Sequence, residues 1–220
     1  MTRKYSRLLL GVAATMLLAS TASANLLVNP GFENPATGGA PPEYFGATGW
    51  ADFGGTTYTI SAGPIGPAGA HTGDQVLKVF GFGGVYQQFA ASAGQTWDGG
   101  AWALNDSFDL MGGGQVAAVN IEWIAADGIT SLGAVLGPTI TAATPADIWN
   151  FLTVSGVAIA GTSFARLVLI TGDFLPGGQA GAPRFDDAFM LERVAIPVPA
   201  AVWLFGSALG MLGWIRRKAI

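Results

Sequence analysis

Between residues 25 and 195 the apolar residues occur in short runs separated by glycine and other turn-forming residues, and this spacing constrains the fold most strongly. No stretch of this region repeats apolar residues every three or four positions over the length of a helix. Runs of about four to eight residues between turn signals are typical of β-strands instead. The candidate strands are Leu26–Val28, Thr56–Ser61, Gln75–Phe80, Val85–Phe89, Thr96–Leu104, Gln115–Ala125, Trp149–Val157, Phe164–Thr171 and Phe185–Glu192.

Two of these runs indicate how the strands are buried. Val119, Ile121 and Trp123 alternate with polar residues, which is typical of an antiparallel strand with one face in the core. We therefore expect Trp123 to be a core residue. The run 165–170, ARLVLI, is apolar on both faces and fits a central strand.

The turn signals and the absence of repeats indicate a single domain. Glycines at 112–114 and the stretch Asp98-Gly99-Gly100 predict turns or loops. About nine strands without helices predict an all-β fold, a single antiparallel β-sandwich of the jelly-roll type. No internal repeat or linker divides residues 25–195, so we expect one domain there.

Residues 1–24 have the pattern of a secretory signal peptide. Arg3, Lys4 and Arg7 precede an apolar stretch, and Ala22-Ser23-Ala24 fits an A-x-A cleavage site. The pattern predicts export and a mature chain that begins at Asn25. An N-terminal membrane anchor is the alternative, although the apolar stretch is short for a span.

The C-terminal region predicts a transmembrane helix over 198–215. This run has no charged residue, and as a helix it would rise about 27 Å, close to the thickness of the hydrocarbon core. Pro197 and Pro199 would keep the helix from extending towards the domain. Arg216, Arg217 and Lys218 would hold the end of the chain on the cytoplasmic side.

Residues 196–218 also resemble a known export label. The prolines Pro197 and Pro199, the run PAAVWLFGSALGMLG and the basic residues Arg216, Arg217 and Lys218 are similar to the PEP-CTERM sorting signal. That resemblance implies a Gram-negative exporter of extracellular polysaccharide and cleavage by an exosortase, the expected processing partner. Val198 occupies the place of the family's Glu, so the sequence does not identify the bond that would be cleaved. A plain tail anchor is the alternative.

Composition excludes several classes of function. The chain has no cysteine, so disulfides and thiolate metal sites are impossible. Residues 25–195 carry four basic residues against all 14 carboxylates, a formal charge of −10, which disfavours nucleic-acid binding. His71 is the single histidine, and no G-x-S-x-G motif accompanies it. We expect His71 in an exposed loop and no enzymatic activity.

The ends of the domain resemble the galactose-binding-like jelly roll found in many carbohydrate-binding modules. The opening NLLVNPGFENP and the closing PRFDDAFMLE carry this resemblance. It implies a structural calcium where the chain ends meet, with Glu33, Asp186 and Asp187 as ligands, because calcium prefers carboxylate oxygens. Alternation in the last strand predicts that Asp187 faces inward with Phe185 and Phe189. A polar network with Arg184 or backbone amides, or an exposed Asp187, is the alternative to calcium.

These observations predict an exported, non-enzymatic protein of the cell surface or extracellular matrix, held in the membrane before cleavage. A binding partner would be carbohydrate or exopolysaccharide, because sugars stack on exposed aromatic side chains. Aromatic side chains of sandwiches are more often in the core, and Trp50, beside a loop, is the first candidate among the tryptophans for an exposed one; the sequence assigns no individual ligand-binding residue. A secreted hydrolase of polysaccharides and a structural surface protein without a sugar ligand are the alternatives.

Overall fold

The computed structural model describes most of the chain between residues 24 and 193 and a short piece near its end. The described residues are 24–36, 43–54, 57–61, 66–173, 179–193, 206–207 and 209–211. The chain forms a large unit over 23–194 and a second unit of 1–22 with 195–220. Residues 206–207 and 209–211, the described part of the second unit, are helical.

The large unit is built from β-strands joined by turns and loops. In chain order the strands are β1 (Glu43–Phe45), β2 (Ala51–Gly54), β3 (Thr57–Ser61), β4 (Val76–Phe80), β5 (Gly83–Ala90), β6 (Thr96–Leu104), β7 (Gly112–Gly113), β8 (Gln115–Ile124), β9 (Ser131–Thr141), β10 (Asn150–Val157), β11 (Phe164–Asp173), β12 (Gln179–Ala180) and β13 (Arg184–Arg193). The predicted all-β fold is confirmed for this unit.

The strands form two large antiparallel sheets and one small one. The six-stranded sheet has the order β1-β3-β4-β13-β6-β10, and the five-stranded sheet has the order β2-β5-β11-β8-β9. Strands β7 and β12 pair in the small sheet. The inner faces of the two large sheets form one apolar core, so the predicted antiparallel sandwich is confirmed.

The core confirms both predictions about buried strands. Val119, Ile121 and Trp123 of β8 are all buried, whereas Glu122 between them is half-buried on the other face. Strand β11 lies in the middle of its sheet, paired with β5 on one side and β8 on the other. Its doubly apolar pattern follows from that central position.

The segment Asp98-Gly99-Gly100 is not a turn but lies inside β6. Its glycines are needed for close packing. A Cβ on Gly99 would press into the Leu167 side chain in the core, and one on Gly100 would press into the Phe189 ring outside it. Glycine in a strand marks such close approaches as well as turns.

The first residues of the domain pack along its last strand. The Leu26 amide donates to the Met190 carbonyl at 3.0 Å, and the Asn25 side chain bonds the backbone of Ala188 and Met190. The predicted strand over Leu26–Val28 is wrong, because the Gln87 side chain occupies both backbone groups of Val28 in place of a neighbouring strand.

Strand β13 contains a bulge that changes which side chains face the core. Its register with β6 shifts between Asp186 and Phe189, so two residues of β13 oppose one residue of β6. Asp187 has a φ of 45°, in the left-handed region. The prediction that Asp187 faces inward with Phe189 is therefore wrong. Beyond the bulge Ala188 and Met190 face the core, and Phe189 lies on the outer face.

The two predicted targeting segments lie almost wholly outside the described residues. This holds for the signal peptide up to residue 23, with Ala22, and for Pro197, Pro199, Arg216, Arg217 and Lys218. Only 206–207 and 209–211 of the predicted span 198–215 are described. Within the portion of the chain that the structure describes, no helix has both the length and the apolarity to cross a bilayer.

Candidate functional site

The outer face of the six-stranded sheet carries the main candidate site. Its central strands β13 and β6 and its edge strand β10 are neighbours. Because side chains alternate along a strand, one set of each strand points away from the core. The outward set contains Trp102, Gly100 and Asp98 on β6, Phe151, Thr153 and Ser155 on β10, and Phe189, Leu191 and Arg193 on β13.

Five rings come together at one end of this face, and we call them the aromatic row. His71 stacks on Trp102 with 4.0 Å between ring centroids, and Trp102 stacks on Phe151 at 4.9 Å. Phe151 meets Phe189 at 5.9 Å, and Trp149 meets His71 edge-on at 5.7 Å. Phe151 is 50% exposed, so its ring is the part of the row most open to a ligand.

A cleft of about 390 Å³ continues from the aromatic row across the same face, and we call it the outer cleft. Phe189 belongs to both. The outer cleft is lined by Asp98, Gly99, Thr153, Val154, Ser155, Phe189, Leu191 and Arg193. Its size lies within the range of about 300–1,000 Å³ that is typical of small-molecule sites.

The two charged side chains of the outer cleft are paired with each other. Arg193 and Asp98 form an ion pair through the Arg193 Nε. Burial opposes ionisation of Asp98, but hydrogen bonds from Arg193 and Ser155 outweigh it, so the pKa of Asp98 lies below its usual value. The cleft therefore offers a carboxylate, a guanidinium and two hydroxyls beside an aromatic ring.

The predicted ligand Asp186 lies buried beneath the loop over 71–75. Its Oδ2 accepts hydrogen bonds from the amides of His71 at 2.9 Å and Thr72 at 3.1 Å. Burial raises the pKa of Asp186 to about 7; amide hydrogen bonds from Thr72 and Asp187 oppose the shift, and the charge of Asp187 adds to it. Asp186 thus links the last strand to the loop that carries His71.

Asp187 holds the His71 ring in its place within the aromatic row. Its Oδ2 lies 2.6 Å from His71 Nδ1, and its Oδ1 accepts a hydrogen bond from the Thr72 hydroxyl at 2.7 Å. The His71 side chain is 26% exposed. His71 therefore lies in a loop, as predicted, but the predicted exposure is wrong, because the Asp187 carboxyl group and the Trp102 ring cover part of the side chain.

The third predicted ligand, Glu33, holds the same loop from another side. Its Oε1 accepts hydrogen bonds from the amides of Asp74 and Gln75, both at 3.0 Å. Among the residues described, no three His, Asp or Glu side chains converge on a point where a metal ion would bind. The contacts seen are those of the polar network that the sequence left open, and calcium at Glu33, Asp186 and Asp187 stays a prediction.

Trp50 is not the exposed tryptophan that the sequence predicted. It is 6% exposed, packs on the Phe32 ring with 5.1 Å between centroids, and donates from Nε1 to the Asn29 carbonyl at 3.2 Å. The N-terminal segment covers it.

The sequence analysis did not predict the aromatic row. The signal was present, because alternation along 96–104 and 149–157 places Trp102 and Phe151 on the face opposite the core residues.

Comparison with known proteins supports the architecture alone. No family model matches the sequence, and no curated protein matches it. The xylan-binding domain CBM22-1 of Paenibacillus barcinonensis Xyn10C is similar in structure, with 15% identity and a TM-score of 0.52 over 81% of this chain and 100% of that one. The tandem domain CBM22-1-CBM22-2 of the same protein has 16% identity and a TM-score of 0.53, covering 82% and 49%.

An enzyme also contains a similar fold. The arabinose-bound α-L-arabinofuranosidase MgGH51 has 13% identity and a TM-score of 0.53 over 79% of this chain and 27% of that one. At such low identity the likeness establishes the fold, and function has to be argued from the site. The chain of residues 25–193 therefore has the sandwich fold that occurs in carbohydrate-binding modules.

Proposed function

We propose that this protein is an exported, non-enzymatic surface or matrix component whose outer cleft and aromatic row bind carbohydrate. The observation that carries the proposal is the half-exposed Phe151 ring with Phe189 beside it, next to the paired Asp98 and Arg193. Sugar rings present apolar C–H faces to aromatic side chains and hydroxyls to charged and polar groups. The outer cleft offers both kinds of partner side by side.

A neutral glycan suits this face better than an acidic one. Arg193 is already paired with Asp98, so the cleft carries little net charge. The domain around it has a formal charge of −10, which repels chains of uronic acids at moderate salt. The ligand class that we propose is an uncharged stretch of polysaccharide.

The alternative of a polysaccharide hydrolase has less support at this site. A glycosidase needs two carboxyl groups, one of which stays protonated to act as an acid. Asp98 is the one carboxylate that lines the outer cleft within the described residues, and its pKa is lowered. Asp98 is therefore a hydrogen-bonding group for hydroxyls and unsuited as a general acid.

A glycan array probed with the full-length protein tests the proposal against both alternatives. We expect binding to neutral glycans without release of reducing ends from them. Release of reducing ends would favour the hydrolase. Binding to no glycan on the array, with the protein still found at the cell surface, would favour a structural protein without a sugar ligand.

Delivery to the surface is proposed from the end segments. A signal peptide over 1–24 would direct export, and an exosortase would remove the helix 198–215 and its basic tail after membrane anchoring. Intact-mass measurement of the protein from cells and medium tests this. We expect a chain that starts at Asn25 and ends near Pro197 or Pro199, whereas a mass that extends to Ile220 would contradict processing.

A further inference from the structure

Residues 128–165 form a stretch with hardly any charge. Asp147 is the one charged residue among these 38, whereas 11% of the whole chain is charged, which corresponds to about four in this length. The stretch includes β9 and β10, and several of its large apolar side chains are exposed. They are Ile129, Leu132, Leu136, Ile148, Phe151, Val157 and Ile159. Phe151 belongs to the aromatic row, and the others have no part in the proposed sugar site.

Strand β9 is a long edge of the five-stranded sheet. It spans 11 residues and pairs with β8 on one side. Among the described strands, none pairs with its other side. Edge strands are usually protected by lysine, other charges or short length, because their free backbone groups can pair with another strand. Strand β9 has no charged residue, and Pro138 is its one residue without an amide donor.

An apolar row runs along the solvent-facing side of this edge. Leu132, Ala134 and Leu136 alternate with half-buried residues and are all exposed. The half-buried residues between them, Gly133 and Val135, face the other way, towards β10. We call Leu132, Ala134 and Leu136 the β9 patch.

The charge of the domain indicates where a second copy of the chain could bind. Two copies of a domain with a formal charge of −10 repel each other over most of their surfaces. At the uncharged strand β9, two copies can meet without opposing carboxylates. An antiparallel pair of identical strands is also self-complementary, as a two-fold symmetric interface requires. We propose that two copies of this chain associate by pairing β9 with β9 antiparallel, which joins their β9 patches.

This association is independent of the proposed sugar binding. The β9 patch lies on the five-stranded sheet, whereas the outer cleft lies on the outer face of the six-stranded sheet. Pairing through β9 would extend the five-stranded sheets into one ten-stranded sheet. It would leave a cleft open on each copy.

Single-cysteine cross-linking of the full chain tests the pairing, because the protein has no cysteine of its own. In this antiparallel pair, a residue near the middle of β9 would lie across the two-fold axis from the same residue of the second copy. We expect Ala134→Cys to form a disulfide-linked dimer of twice the 22.5 kDa chain mass under mild oxidation. The matched control is Ala51→Cys, an exposed alanine on β2 at the opposite edge of the same sheet, which we expect to stay monomeric.

A charge variant measures the same contact without a cross-link. Ala134→Lys places like charges opposite each other and should raise the dimer dissociation constant about tenfold or more in analytical ultracentrifugation, whereas Ala51→Lys should not change it. The proposal fails if the unmodified chain stays monomeric at ~100 μM, if both cysteine variants cross-link equally, or if Ala134→Cys cross-links only to a different protein.

Discussion

Phe151 is the side chain whose truncation should most weaken sugar binding. It is half exposed and packs between Trp102 and Phe189, so its ring offers a face already held in place. We expect Phe151→Ala to weaken binding to neutral glycans about tenfold in isothermal titration calorimetry, through loss of aromatic contact. Phe108→Ala removes an exposed phenylalanine ring outside the aromatic row and the outer cleft, and it serves as the control. Equal affinities of the two variants would contradict the site.

The buried ion pair between Arg184 and Asp106 should be sensitive to loss of one partner. Both side chains are almost fully buried, and the Gly66 amide also donates to Asp106. Asp106→Ala would leave a buried guanidinium without its partner, so we expect a loss of about 3–5 kcal/mol in the free energy of unfolding by urea. Replacing both residues with apolar ones, Asp106→Leu with Arg184→Met, should recover much of this loss.

An exposed ion pair provides the reference for that measurement. Arg193 is 63% exposed in its pair with Asp98, and exposed ion pairs contribute little net stability because solvent screens them. We expect Arg193→Ala to change the free energy of unfolding far less than Asp106→Ala does. Similar losses for Asp106→Ala and Arg193→Ala would show that burial of the first pair has no energetic consequence.

Asp127 gives a pH dependence whose sign follows from its contacts. The Thr130 hydroxyl and the amides of Ile129 and Thr130 donate to its carboxylate and lower its pKa from 3.8 to about 2. Because the folded state favours the ionised carboxylate, these hydrogen bonds contribute fully to the free energy of unfolding above about pH 4. Their contribution is lost as the pH falls through about 2. We expect NMR titration of the Asp127 carboxyl to give a midpoint near 2, and Thr130→Val to raise it. A midpoint near 3.8 in the unmodified protein would contradict the turn geometry.

At the scale of the strands, Gly100 lets β13 and β6 share one surface. A Cβ on Gly100 would lie 2.7 Å from the Leu152 carbonyl oxygen and would press into the Phe189 ring. We expect Gly100→Ala to lower the free energy of unfolding by about 1–3 kcal/mol and to weaken glycan binding by moving Phe189. Adding Phe189→Leu should restore part of the stability but not the binding. Unchanged stability of Gly100→Ala would contradict the close packing.

The strands that sequence could predict are those with a buried face. The bounds predicted for Thr96–Leu104 agree with β6, and the alternation of β8 placed Trp123 in the core. Strand β9 was missed because glycine stands at two of its half-buried positions, 133 and 137, while Leu132 and Leu136 are exposed, which reverses the usual pattern of a strand with one face in the core. The inward direction of Asp187 was wrong because a bulge inserts one residue, which alternation alone cannot show.

The candidate site was predictable only in part, because it combines distant segments. The sequence grouped Glu33, Asp186 and Asp187, and the structure shows that all three hold the loop over 71–75. The aromatic row joins that loop to β6, β10 and β13, which lie far apart along the chain. Such a cluster depends on the order of strands in the sheet, and local patterns carry no information about that order.

At the scale of the whole molecule, calcium would tie together both ends of the domain. An ion that binds the folded state alone raises the melting temperature as its concentration rises. If Glu33, Asp186 and Asp187 bind calcium, the full chain should melt at a higher temperature in calcium than in EDTA, and Asp187→Asn should abolish the difference. Asp127→Asn, which removes a carboxylate elsewhere, should preserve it. Identical melting curves in calcium and EDTA would exclude the site.

The position of the outer cleft on β13 has a mechanical consequence. Phe189, Leu191 and Arg193 line the cleft, and the chain continues towards the proposed anchor directly after Arg193. A polymer held in the outer cleft of an anchored protein would pull on Asp98 of β6 and Ser155 of β10 as well as on β13. Because these three strands are hydrogen-bonded neighbours in one sheet, they would share the pull. A moving polymer would thus load the six-stranded sheet across several strands, while the proposed anchor would receive that load through β13 alone.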